Sequence, residues 1–113
     1  MKNELPEADF LDKAAYFLGW RDIFIIEGSS MLPTLKPGDC ILINPGLKPN
    51  IGNIVFFRHP YIQKVYVVKR LAEITLEGSY IVLGDNPPES TDSRSFGAIL
   101  AVNILGVAVC RVK

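Results

Sequence analysis

Residues 40–58 read CILINPGLKPNIGNIVFFR. Two short runs rich in β-branched and aromatic residues, 40–44 and 53–58, flank a break built from Pro, Gly and Asn. The break punctuates two strands and is too short to hold a crossover helix. The same pattern extends in both directions. Residues 23–26, 62–71, 80–83 and 102–112 also read as strands, separated by LKPGD, RHP, LEGS and GDNPPESTDSRSFG. Strands so closely spaced are predicted to form a mainly antiparallel sheet. Upstream, Phe10, Leu11, Ala14, Phe17 and Leu18 follow the 3.6-residue period within 6–18, and Gly19 is placed to end the helix. Glu7, Asp9, Asp12 and Lys13 occupy the other face. This predicts an amphipathic terminal helix lying on the domain, with contact to a membrane surface or a partner as the alternative. The expected fold class is mainly β: a single small antiparallel β domain over residues 23–113, preceded by a helix and lead-in over 1–22.

Composition bounds the function. With 113 residues, 49% hydrophobic and 21% charged, the chain is one globular domain, not a disordered or low-complexity tail. Twelve basic and twelve acidic residues cancel, so nothing favours nucleic acid or an anionic membrane. Cys40 and Cys110 each sit in an apolar run and are expected to be buried free thiols. His59 is the single histidine and neither cysteine has a nearby ligand, so no metal and no cofactor are expected. The N-terminal MKNELPEADF is acidic and lacks the basic-then-apolar order of a secretory signal. The longest charge-free run, 95–110, falls short of the ~20 apolar residues of a spanning helix. No transmembrane segment is expected, and the expected location is the cytoplasm.

Three segments carry more polarity than their turns require. In 27–39, EGSSMLPTLKPGD, the small residues Gly28, Ser29 and Ser30 permit close backbone approach to a ligand, and successive N–H groups can cradle an oxyanion. In 84–94, GDNPPESTDSR, several side chains are suited to local hydrogen bonding. Between them, alternation along 62–71 puts Val65, Val67, Lys69 and Leu71 on one side and Lys64, Tyr66 and Arg70 on a more polar one. Lys69 thus points with aliphatic neighbours. Desolvation lowers an ammonium pKa, and a drop of ~3 from ~10.4 makes it a base near neutrality at a cost of about 4 kcal/mol. A neutral lysine can take a serine proton. On alternation alone, the favoured reading is a Lys69 that snorkels to solvent.

The three segments together resemble the type I signal peptidase family. Gly28 to Leu35 with Gly38-Asp39 is similar to its nucleophile segment, Val68-Lys69-Arg70 to its general-base segment, and Gly84-Asp85-Asn86 through Ser90, Asp92, Ser93, Arg94 and Gly97 to its third. The resemblance implies Ser30 as nucleophile, Lys69 as general base and Ser90 as the serine that orients the lysine. It implies Asp92 and Arg94 as a salt-bridged pair that holds the loop, and the Ser30 N–H as one oxyanion donor. Gly28 stands where some relatives place a second donor. Met31 and Leu32 are candidates for the substrate groove, with core packing as the other reading. Only residues 71–83 separate the Lys-Arg pair from the third segment, so the large inserted β domain of some relatives is not expected, nor is an N-terminal membrane anchor. The spelling GDNPPESTDSRSFG looks most like a small branch, the nickel-type superoxide dismutase maturation proteases. That likeness implies a precursor protein as substrate, from which an N-terminal leader is removed.

Other readings draw on the same residues. A repressor-type self-cleaving protease uses a Ser/Lys pair on a related β fold, and its DNA-binding domain and internal cleavage segment are not expected here. A binding module with a decayed site is disfavoured by the presence of both Ser30 and Lys69. A triad through His59 conflicts with its place in a predicted exposed turn, and Asp85, Asn86, Glu89 and Asp92 lack the spacing of a calcium loop.

Overall fold

Alternation on both faces of each strand builds the molecule. The computed structural model describes residues 4–112. One helix, α1 (Phe10–Phe17), precedes six strands: β1 (Asp22–Ile25), β2 (Cys40–Asn44), β3 (Ile54–Arg58), β4 (Tyr66–Ile74), β5 (Tyr80–Leu83) and β6 (Ile104–Val112). A four-residue helix, α2 (Ser93–Phe96), lies between β5 and β6. All strands pair antiparallel in one sheet of order β1-β2-β6-β3-β4-β5. The mainly β, antiparallel architecture is therefore as the residue pattern predicts.

Both faces are apolar. Ile41, Ile43, Ile54 and Val68 join Ile26, Met31 and Leu35 in one buried cluster; Val55, Phe57, Leu71 and Val82 join Phe96 and Ile99 in another. The sheet coils strongly enough that Phe24 of edge strand β1 packs at a tilt against Phe56 of β3, ring centroids 5.0 Å apart, and Phe56 stacks on Tyr66 of β4 at 5.7 Å. Register matters on β4. Its residues 66–70 pair with β3, whereas β5 pairs only from Arg70 onward. Tyr66 to Val68 thus present an edge that β5 does not cover, and β1 lies across a cleft from it.

Several boundaries differ from the sequence expectation. Strand β4 begins at Tyr66, not at residue 62, because Lys64 turns the chain with φ +62°. Arg70 is buried and ion-paired, so the face it shares with Tyr66 is not the solvated one. His59 is in its predicted turn but is half-buried against Phe96, and its Nδ1 accepts the N–H groups of Tyr61 and Ile62. Cys40 and Cys110 are free; Cys110 is buried and Cys40 half-buried.

The helix departs most. It starts at Phe10, not residue 6, because Asp9 caps it in a reciprocal capping box with Asp12. Residues 6–8 are extended, and Ala8 N–H and Pro6 C=O bond to the Arg111 backbone at 2.8 and 2.9 Å. That pairing sets the direction of entry and hence the rotation of α1. Ala15 is buried and Asp12 half-buried towards the sheet, while Phe10, Leu11, Phe17 and Leu18 stand 61–84% exposed. The apolar stripe thus faces away from the domain. Burial, with the Asp12 carboxylate beside it, pushes the Cys110 thiol up to about 11.

These placements set the cost of substitution. Phe57→Ala should lose about 3–5 kcal/mol in urea unfolding, whereas Phe17→Ser should stay within about 0.5 kcal/mol. Comparable losses would mean that α1 packs its apolar stripe inward.

Candidate active site

The site forms where β4 meets the loops after β1 and β5. Ile26 is anchored through its N–H to Asp39 C=O and its C=O to Gly38 N–H, both at 2.8 Å. Gly28 then adopts φ +73°, a conformation that side chains oppose. The turn leads to Ser29 and Ser30, both half-buried. Asn86 holds this turn from the opposite loop. Its backbone N–H donates to Ser30 C=O at 2.9 Å and its side-chain amide to Ser29 C=O at 3.0 Å. Among the described residues the Ser30 N–H has no hydrogen-bond partner.

Lys69 and Arg70, adjacent on β4, point to opposite faces and reach two different carboxylates of the same loop, Arg70 directly and Lys69 through Ser90. Lys69 is 5% exposed, and its Nζ donates to Ser90 Oγ at 3.2 Å. Ser90 Oγ donates in turn to Asp92 Oδ2 at 2.8 Å. Asp92, fully buried, also accepts Gly84 N–H at 2.8 Å and the Arg94 guanidinium at 2.9 and 2.6 Å. Arg70 pairs with Asp85 at 2.7 Å, both side chains under a tenth exposed, and Asp85 accepts Thr34 Oγ1 at 2.6 Å.

Electrostatics follows from burial. Desolvation pushes the Lys69 ammonium below its ordinary value; the Asp92 charge opposes this and Arg94 adds to it. Desolvation raises the Asp92 carboxyl, but hydrogen bonds from Arg94, the Gly84 N–H and Ser90 outweigh it and hold the carboxyl far below the usual range. A cavity of about 230 Å³ joins Ser30, Met31 and Lys69 with Phe24, Ile26, Glu27 and Tyr66 to Val68. Leu32 lies outside its lining, and Met31 belongs to the core as well as to the cleft. Ser30 and Lys69 share the cavity without a direct hydrogen bond among the described residues.

The Peptidase S24-like family matches residues 13–109, most of the chain and every residue just described. The chain belongs to the Peptidase S24-like family. None of the curated proteins compared with it matches. Membership in Peptidase S24-like supports a serine-peptidase-like or repressor-like relative. Among the described residues no three His, Cys, Asp or Glu side chains are grouped to hold a metal ion.

Gly84, Asn86, Thr34, Asp85 and Arg70 also build this site, although residue type alone does not single them out. A methyl group at Gly84 would overlap Ser90 and sit 2.7 Å from Ser30 C=O, so this glycine sets how closely the two loops approach. Its place at the head of the GDN segment was the available signal.

Two consequences are measurable. Asp85→Ala should cost about 3–5 kcal/mol, because it strands Arg70 in the interior. Asp92 has a lowered folded-state pKa, so its stabilisation is complete above about pH 4 and lost as pH falls through the lower value. Asp92→Asn should therefore be less stable at neutral pH, with a shallower acid limb in Tm against pH; an unchanged limb would contradict the paired carboxylate.

Proposed function

We propose that the protein is a serine endopeptidase that uses a Ser30/Lys69 dyad to remove an N-terminal leader from a precursor protein. The supporting observation is that Ser30 and a buried Lys69 line one cavity, with Lys69 tethered through Ser90 to a carboxylate. In this reading residues 23–113 form the catalytic unit. The resemblance of the three segments to type I signal peptidases supports the reaction class. The small-branch likeness supports the nickel superoxide dismutase precursor as substrate and a cytoplasmic location; no described helix is long and apolar enough to cross a membrane. The outward Phe10, Leu11, Phe17 and Leu18 support peripheral membrane contact by α1.

The chemistry runs through one nitrogen. Neutral Lys69 directs an N–H at Ser90 Oγ, which leaves its lone pair for the Ser30 hydroxyl proton. Ser30 Oγ adds to the scissile carbonyl, and its own N–H donates to the oxyanion. Collapse breaks the C–N bond, and the Lys69 ammonium returns the proton to the departing amine. Lys69 then takes a proton from water, whose oxygen adds to the acyl carbonyl; collapse breaks the ester C–O bond and releases the leader acid, and the Lys69 ammonium returns the proton to Ser30 Oγ. An extended substrate fits as a strand between the edges of β1 and of β4 at Tyr66 to Val68.

Intact mass of a nickel superoxide dismutase precursor incubated with the protein tests this. The expected result is one defined leader lost with wild type and none with Ser30→Ala or Lys69→Ala. Turnover should rise with pH as Lys69 loses its proton, with a midpoint below the ordinary ~10.4 of lysine. Ser90→Ala should remain folded and lose about tenfold or more in kcat. A flat pH profile would remove Lys69 as the base. The family membership also favours a second reading, a repressor-like relative, which predicts fragments of the chain itself in the same spectra.

A further inference from the structure

Glu27 is the last residue before the Gly28 turn and stands three positions before Ser30. The backbone bonds of Ile26 to Gly38 and Asp39 fix its base, and its side chain is exposed at the mouth of the cleft. Besides Ser30, Met31 and Lys69, the cavity is lined by Phe24, Ile26, Tyr66, Val67 and Val68, none of which carries a charge. Glu27 has no hydrogen-bond or ion-pair partner for its side chain among the described residues. Lys69 does not neutralise it, because Lys69 is committed to Ser90 and its charge is disfavoured by burial. The only other lining group able to carry charge is therefore unavailable.

A peptide laid between the edges of β1 and β4 covers Glu27 and strips water from its carboxylate. An unpaired carboxylate so covered is costly, whereas a cation from the peptide compensates the lost hydration through a charge-assisted hydrogen bond. A substrate carboxylate at the same place adds repulsion. We propose that Glu27 is a specificity-determining residue that selects substrates with a Lys or Arg side chain within a few residues of the scissile bond. This rests on the peptidase reading above. It assigns Glu27 to substrate choice, while the dyad acts on the peptide carbonyl.

The test uses short fluorescein-labelled alanine-based peptides with one Lys, Gln or Glu scanned across positions around the centre. Anisotropy on Ser30→Ala protein reads binding; mass spectrometry on protein with Ser30 intact reads cleavage. At the favoured position the Lys peptide should bind about fivefold tighter than the Gln peptide, and the ratio should shrink as salt is raised. Glu27→Gln should bring the ratio near one, and Glu27→Lys should favour the Glu peptide. A ratio near one with Glu27 present, or a Lys preference that survives in Glu27→Lys, overturns the assignment. The expected binding pattern with no peptide hydrolysed by wild type supports the Glu27 assignment and counts against the peptidase reading.

Discussion

The buried ion pair between Arg70 and Asp85 is the constraint around which the site is arranged. It joins β4 to the loop after β5, and Thr34 bonds the same Asp85, so three segments distant in sequence meet at one carboxylate. Arg70 also donates to Gly52 C=O at 2.8 Å, which extends the tie towards β3. A buried pair is weak evidence of net stabilisation, since desolvation offsets much of the attraction. Its effect here is positional: the pair fixes where the loop after β5 meets β4. With Arg70 held on one face of β4, alternation obliges Lys69 to enter the other.

On that other face the opposing electrostatic influences are set by geometry. Apolar burial disfavours the Lys69 ammonium, and Asp92 favours it. Asp92 is already surrounded by donors, with Arg94, the Gly84 N–H and Ser90 all directed at it. Arg94 draws the carboxylate into its own pair and leaves Ser90 as the intermediary to the lysine. A carboxylate bonded directly to Lys69 would favour the charged form. Placing a hydroxyl between them keeps the orientation and weakens the charge effect.

The coiling of the sheet completes the cleft. Phe56 lies between Phe24 and Tyr66, so β1 is brought near β4 although three strands intervene in the sheet order. Two uncapped edges thereby face one another, an arrangement that invites pairing with an added strand. The exposed stripe of α1 and Glu27, whose side chain has no partner among the described residues, are surface features that internal packing does not use.

The sequence by itself determined the class of fold. Short runs of β-branched and aromatic residues broken by Pro and Gly locate all six strands, two of them, 40–44 and 80–83, to the residue, because residue preference and turn chemistry are local properties. It also supplied the candidate residues Ser30, Lys69 and Ser90, through three ordered segments. Tertiary structure alone decided the rest. The rotation of α1 depends on a backbone pairing with Arg111 about a hundred residues away. Arg70 is polar in sequence yet interior in the fold, because its partner Asp85 comes from another loop. The need for glycine at 84 exists only once Ser30 and Ser90 converge on it. Long-range pairing of charges and close approach of loops leave no periodic trace along the chain, so they are read only from the folded molecule.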